Sequence, residues 1–263
     1  MIHCVAAAAV AVVFLCTLLP FFPGAYDPLA LPLSMMARFG AIAALLLVPV
    51  GFTAAFRSFA ATAIIVATLV WLFVSLLAWM NSTALGAITA VVGFIVVARM
   101  IRRWRQPSGG AAPTRAIGLY FVVLPIAVVG LQWVVVPRAV EFSRNRAIRN
   151  CESLIADIEQ YRTTNGRYPL SLQALWPDYK PSVMGVERYH YEPSGESYNV
   201  FFENPALSFG TREIVMYNPR DEQQFTSHPM DLLQYPLERL NRARGHYASG
   251  DAAHPHWKYF WFD

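Results

Sequence analysis

Acidic residues are almost missing from the first half of the chain. Asp27 is the only one before Pro137, and that stretch has no lysine. Seven arginines remain, and they sit between the apolar runs or at their ends. A water-soluble surface needs charge of both signs, so this half is not the exterior of an ordinary globular domain. After Pro137 there are 14 basic and 16 acidic residues, with Tyr, Asn, Pro and Gly throughout. The net charge of +4 is thus a membrane-loop property laid over a mildly acidic soluble half. That distribution argues against nucleic acid as a partner and for the lipid bilayer. Cysteine is scarce as well. Cys4 and Cys16 lie in the first apolar run and Cys151 stands alone, so the soluble half can form no disulfide of its own. Phosphate-binding Gly-Lys-Ser/Thr, His-Glu-x-x-His and nucleophile-elbow motifs are all missing. No catalytic residue and no cofactor is expected.

What is present is a series of five apolar runs: residues 4–20, 39–56, 59–80, 84–101 and 116–137. Each is about the 17–25 residues that a helix needs to cross a bilayer core. The first lacks a basic start and a small-x-small end, so it reads as a retained span rather than a signal peptide. The basic loop Arg99, Arg102, Arg103, Arg105 and Arg115 prefers the cytoplasm. That puts the N-terminus inside, residues 23–36 outside, and everything after Pro137 in the periplasm of an inner-membrane protein. Arg138, Arg144, Arg146 and Arg149 oppose this assignment, because they follow a span closely on the outer side. The runs hold no Asp, Glu, Lys or His well inside them, which disfavours a transporter subunit. Pro49 and Pro125 are expected to kink their helices, and Pro137 to bend the chain.

From Val140 to Tyr161 apolar residues recur at three- and four-residue steps, the face of an amphipathic helix. Its polar face carries Arg144, Arg149, Glu152, Asp157 and Glu159. The helix is expected to stop at Asn165-Gly166, where Gly or Asn suits a left-handed C-terminal residue. Ser171 is placed to cap a short helix whose Leu172 and Leu175 face the core. Alternating residues predict a hairpin around 193–196, a strand at 214–217, and a final strand at 257–263 that is aromatic on both faces. The long helix would cover one face of this sheet, and the Leu232–Leu240 segment the other.

The string Asn165-Gly166-Arg167-Tyr168-Pro169, behind a membrane helix and a long amphipathic helix, resembles type II secretion pseudopilins and type IV pilin-like proteins over about residues 117–203. The resemblance implies that these five residues close the long helix and open a globular head with Tyr168 packed beneath it. It implies no catalytic residue. The family's Gly-Phe/Glu cleavage site is absent, so the mature chain is expected to keep all five spans. The expected architecture is therefore a five-span α-helical transmembrane bundle (1–137) and an α+β pilin-like domain (138–263) with a long N-terminal helix and an antiparallel sheet. The expected role is a structural or protein-interaction module of an envelope or secretion assembly, self-associating or bound to other envelope proteins. The alternative is an extracytoplasmic metal-binding sensor or hydrolase, with His246, His254 and His256 as ligands.

Overall fold

The computed structural model describes residues 2–55, 64–65, 68–69, 71–72, 75, 83–104, 112–175, 177–194, 196–205, 211–223 and 248–262. Contacts divide the chain into two compact units. One is Met1–Leu15 with Met36–Trp133, and the other is Cys16–Met35 with Val134–Asp263. The described helices are α1 (Ile2–Leu18), α2 (Ala30–Ala44), α3 (Val48–Ala55), α4 (Thr83–Trp104) and α5 (Ala112–Asn165). Among the described residues, three helical stretches are long and apolar enough to cross a membrane: His3–Phe21, Ala30–Phe52 and Gly118–Asn165. A shorter apolar helix covers Ala87–Arg99. Most of the 59–80 run lies outside the described residues.

The second helix starts nine residues before the expected Phe39. Asp27 explains this. Its carboxylate accepts from the Leu29 N–H at 2.9 Å and its carbonyl from the Ala30 N–H at 3.1 Å, which caps α2. Pro32 then falls in the first turn, where its missing N–H costs nothing. The earlier start brings Arg38 inside the Ala30–Phe52 stretch. Helical side chains lean toward the helix N-terminus, so the guanidinium can reach back toward the interface. The Pro49 break is present as a 3₁₀ turn over Leu45–Leu47, one turn ahead of the proline. Pro125 and Pro137, by contrast, interrupt nothing, and α5 is one 54-residue helix. Within the first unit α3 meets α5 at Gly51, where an added Cβ would come 2.7 Å from that of Phe121. Small residues permit this approach between membrane helices. The Trp71 indole donates to the Thr89 carbonyl at 3.1 Å.

The second unit is built on a sheet of β1 (His190–Ser194), β2 (Ser197–Asn204), β3 (Arg212–Tyr217), β4 (Ala248–Asp251) and β5 (Trp257–Phe262). The order is β1-β2-β3-β5-β4, and every neighbouring pair is antiparallel. Strand β4 had no signal in the sequence reading. The apolar stripe of α5 packs on one sheet face, with Ala147, Cys151, Leu154 and Ile158 buried against Tyr198, Val200, Phe202, Val215 and Trp257. Ile214, Met216, Phe260 and Phe262 are buried on the other face. The last strand is therefore aromatic on both sides, as its sequence implied. The Leu232–Leu240 segment lies outside the described residues.

Two details differ from expectation. Ser171 precedes only a 3₁₀ turn, Leu172–Ala174, and makes no side-chain cap; its carbonyl accepts the Ala174 N–H at 3.2 Å instead. Arg144 is not on a solvated face. It forms a two-pronged ion pair with Glu213, both bonds 2.9 Å long, and the Glu213 side chain is fully buried. Asn204 and Trp261 also donate to that carboxylate, at 2.9 and 2.7 Å. The Arg144 guanidinium lies 3.9 Å over the Tyr259 ring. The charge is thus fully hydrogen-bonded, the condition under which burial is tolerable.

Candidate functional site

The five-residue string does form one structure. Gly166 takes φ of +72° and its N–H returns to the Arg162 carbonyl at 2.8 Å, while the Asn165 amide bonds back to Tyr161. A left-handed residue here ends the helix, and glycine adopts it without strain. Arg167 is exposed; Tyr168 and Pro169 are buried. The Tyr168 ring stacks edge-on to Tyr198 at 4.8 Å. Arg162 donates to its hydroxyl at 2.7 Å, so the ring is covered while the hydroxyl meets a charged residue. The Tyr191 hydroxyl donates to the Pro169 carbonyl at 2.8 Å. Burial pushes the Tyr191 hydroxyl up to about 12, with Tyr168 and Glu159 adding to the shift. The Tyr198 hydroxyl is buried, with no hydrogen-bond partner among the described residues, and faces Glu159 and Tyr217, and burial drives its pKa upward.

Two adjoining clefts run along the exposed side of α5 in this unit, with Glu152 in the wall of both. The larger, about 700 Å³, is open and polar, lined by Arg149, Ser153, Asp157, Tyr179 and Lys180 among others. Its far wall is the loop after the 3₁₀ turn. The Asn150 amide donates to the Pro181 carbonyl at 2.6 Å and Arg146 to the Ser182 carbonyl at 3.2 Å, and the Tyr179 hydroxyl donates to Asp157. Burial, then that hydrogen bond, pushes the Tyr179 hydroxyl up to about 12.

The smaller cleft, about 330 Å³, is lined by Ile155, Tyr217, His254, His256 and Trp257. Two of the three sequence-nominated histidines therefore border one cleft, and His246 lies outside the described residues. His256 Nδ1 is 3.0 Å from the Asp221 carboxylate. Both residues are non-glycine positions in the left-handed region, at φ of +66° and +58°. Asn218 builds this corner: its side-chain oxygen accepts from the Arg220 and Glu222 N–H groups. The His256 and Asp221 side chains are both about half exposed, so the pair is screened and weak. Among the described residues no three His, Cys, Asp or Glu side chains are grouped closely enough to hold a metal ion. No Ser, Thr or Cys lines this smaller cleft as a nucleophile among the described residues.

The residues that sequence reading missed are those around Glu213. One signal was available. Glu213, Val215 and Tyr217 share a face of β3, so the acid stands at an inward position of an otherwise apolar strand. A comparison with protein-family models, with curated proteins and with solved structures finds no match to this chain.

Proposed function

We propose that the chain is a five-span protein of a bacterial inner membrane whose pilin-like head faces the periplasm and serves as a structural or protein-interaction module in an envelope assembly. The observation that carries this reading is α5. It leaves an apolar stretch, continues as the amphipathic helix under an antiparallel sheet, and is closed by the Asn165–Pro169 string. That is the arrangement the pilin-like resemblance implies. Two further observations support this layout. The segment after α1 packs with the head in one unit, so both belong on one side of the bilayer. This requires an even number of crossings between Ala30 and Val134, as four intervening spans provide. Three of the four arginines that opposed the orientation also have structural employment. Arg144 is in the buried pair, Arg146 holds Ser182, and Arg138 donates to the Val134 carbonyl of its own helix at 3.1 Å. Arginines consumed by folding weigh less as topology signals.

Photo-crosslinking groups at Arg149, Ser153 and Leu170, all exposed in the head, should yield discrete adducts in native membranes, to a second copy or to other envelope proteins. A head that stays uncrosslinked at all three positions removes the interaction reading. A reporter active only outside the cytoplasm should work when fused after Asp263 and be silent at Gly109. The reverse pattern removes the orientation.

A further inference from the structure

The loop between α1 and α2 is bound to the head as if it were one of its strands. Pro23 pairs with Val183 in an antiparallel bridge. Four backbone bonds surround that bridge. The Gly24 N–H donates to Ser182 at 3.1 Å and the Met184 N–H to Phe22 at 3.0 Å. The Gly185 N–H donates to Pro20 at 2.8 Å, and the Asp27 N–H to Met184 at 2.9 Å. Phe21, 2 % exposed, is buried with Val136 and Val140 of α5. At Gly185 an added Cβ would stand 2.6 Å from the Pro20 carbonyl oxygen, so the two backbones meet with no room for a side chain.

Among the described residues, the partner segment has little else to hold its outer side. Residues 181–186 contain no helix or paired strand of the sheet. Their inner side is fixed by Asn150 and Arg146, and by Val183 and Val186, both in the main core. Ser182 is a non-glycine residue at φ of +53°, and its carbonyl is shared between Arg146 and the Gly24 N–H. A left-handed serine is sustained only where its surroundings over-determine it. Without the loop, the Met184 and Gly185 N–H groups lose their acceptors and the Ser182 carbonyl loses one of its two donors.

We infer that the first interhelical loop is an obligate clasp of the head: the head completes its fold only when residues 19–27 lie on the same side of the membrane as residues 134–263. Folding of the head is thereby conditional on correct insertion of the first two helices. The clasp does not depend on what the head binds.

The test uses the full chain in detergent and reads the rate at which a protease cuts between Trp176 and Tyr189. Phe21→Ala, remote in sequence from the cut, should raise that rate at least about tenfold, since cleavage follows the population of locally opened head. Tyr26→Ala, in the same loop but exposed, should leave it unchanged. In a Pro23→Cys, Val183→Cys chain, a mild oxidant should join the two peptides, recovered linked under non-reducing conditions. Facing residues of an antiparallel bridge are within disulfide reach. That link should return the Phe21→Ala chain to wild-type resistance. Cleavage of Phe21→Ala at the wild-type rate, or failure of positions 23 and 183 to link under oxidant, overturns the clasp.

Discussion

Glu213 is a fully buried carboxylate, and its neutralisation is entirely local. Removing one member of such a pair leaves an uncompensated buried charge, typically at a cost of about 3–5 kcal/mol. Arg144→Ala should therefore lower the thermal midpoint of the detergent-solubilised protein sharply. Replacing both residues by apolar ones, as in Arg144→Met with Glu213→Leu, should cost much less than the single change. If the double variant is no better than the single one, the charge itself is not what the surroundings compensate. Tyr168 makes a second residue-scale case. Deleting a buried aromatic ring costs about 3–5 kcal/mol through lost burial and the cavity left behind. Tyr168→Ala should unfold the head well below the wild-type temperature. His254→Ala with His256→Ala should cost far less than Tyr168→Ala, because His256 is exposed and its pair with Asp221 is weak. A stabilisation by added zinc that needs those two histidines would favour the metal-binding alternative.

At the scale of elements, the tyrosines along β1, β2 and β3 set an alkaline limit. Burial raises Tyr168, Tyr191, Tyr198 and Tyr217 above the ordinary value of 10.0. A hydroxyl with a raised pKa in the fold favours the folded state fully while the unfolded tyrosine is still protonated. That stability begins to fall above about pH 10 and is lost as the pH rises through the folded value, about 12 for Tyr191. Tyrosinate absorbance and circular dichroism recorded together should show the last part of the tyrosine ionisation and loss of the sheet as one transition. Completion of tyrosine ionisation with the sheet intact would place these hydroxyls in water.

Much of this layer was legible beforehand. The stripe from Val140 to Ile158, the 193–196 hairpin and the final strand depend on periods of 3.6 and 2, and periodicity is local. Asn165-Gly166 was legible for the same reason. What sequence did not disclose depends on distant partners. Arg144 reads as a surface residue until Glu213, 69 positions on, is placed beside it. Strand β4, Ala248–Asp251, has one small apolar residue and a glycine, so only its pairing with β5 makes it a strand. The start of α2 was hidden because Pro28 and Pro32 look like loop, although Asp27 caps a helix that begins between them.

Across the whole molecule, the chain should stay in one piece. The absence of a prepilin cleavage site predicts a membrane species near 29.4 kDa that keeps its N-terminal helices. A mature fragment starting near residue 118 would contradict this and would also remove the residues that clasp the head.

The setting of Glu213 also constrains how this sequence can drift. Its carboxylate is satisfied from three elements, by Arg144 on α5, Asn204 on β2 and Trp261 on β5. A lineage that exchanged any one of them alone would pass through a form with a stranded charge or a stranded donor. Arg144→Lys is no shortcut, because a single ammonium cannot reproduce the planar two-pronged grip. The four positions are therefore expected to change as a block or to stay as they are. In a set of related chains they should form one coupled column pattern, even where the residues around them have diverged.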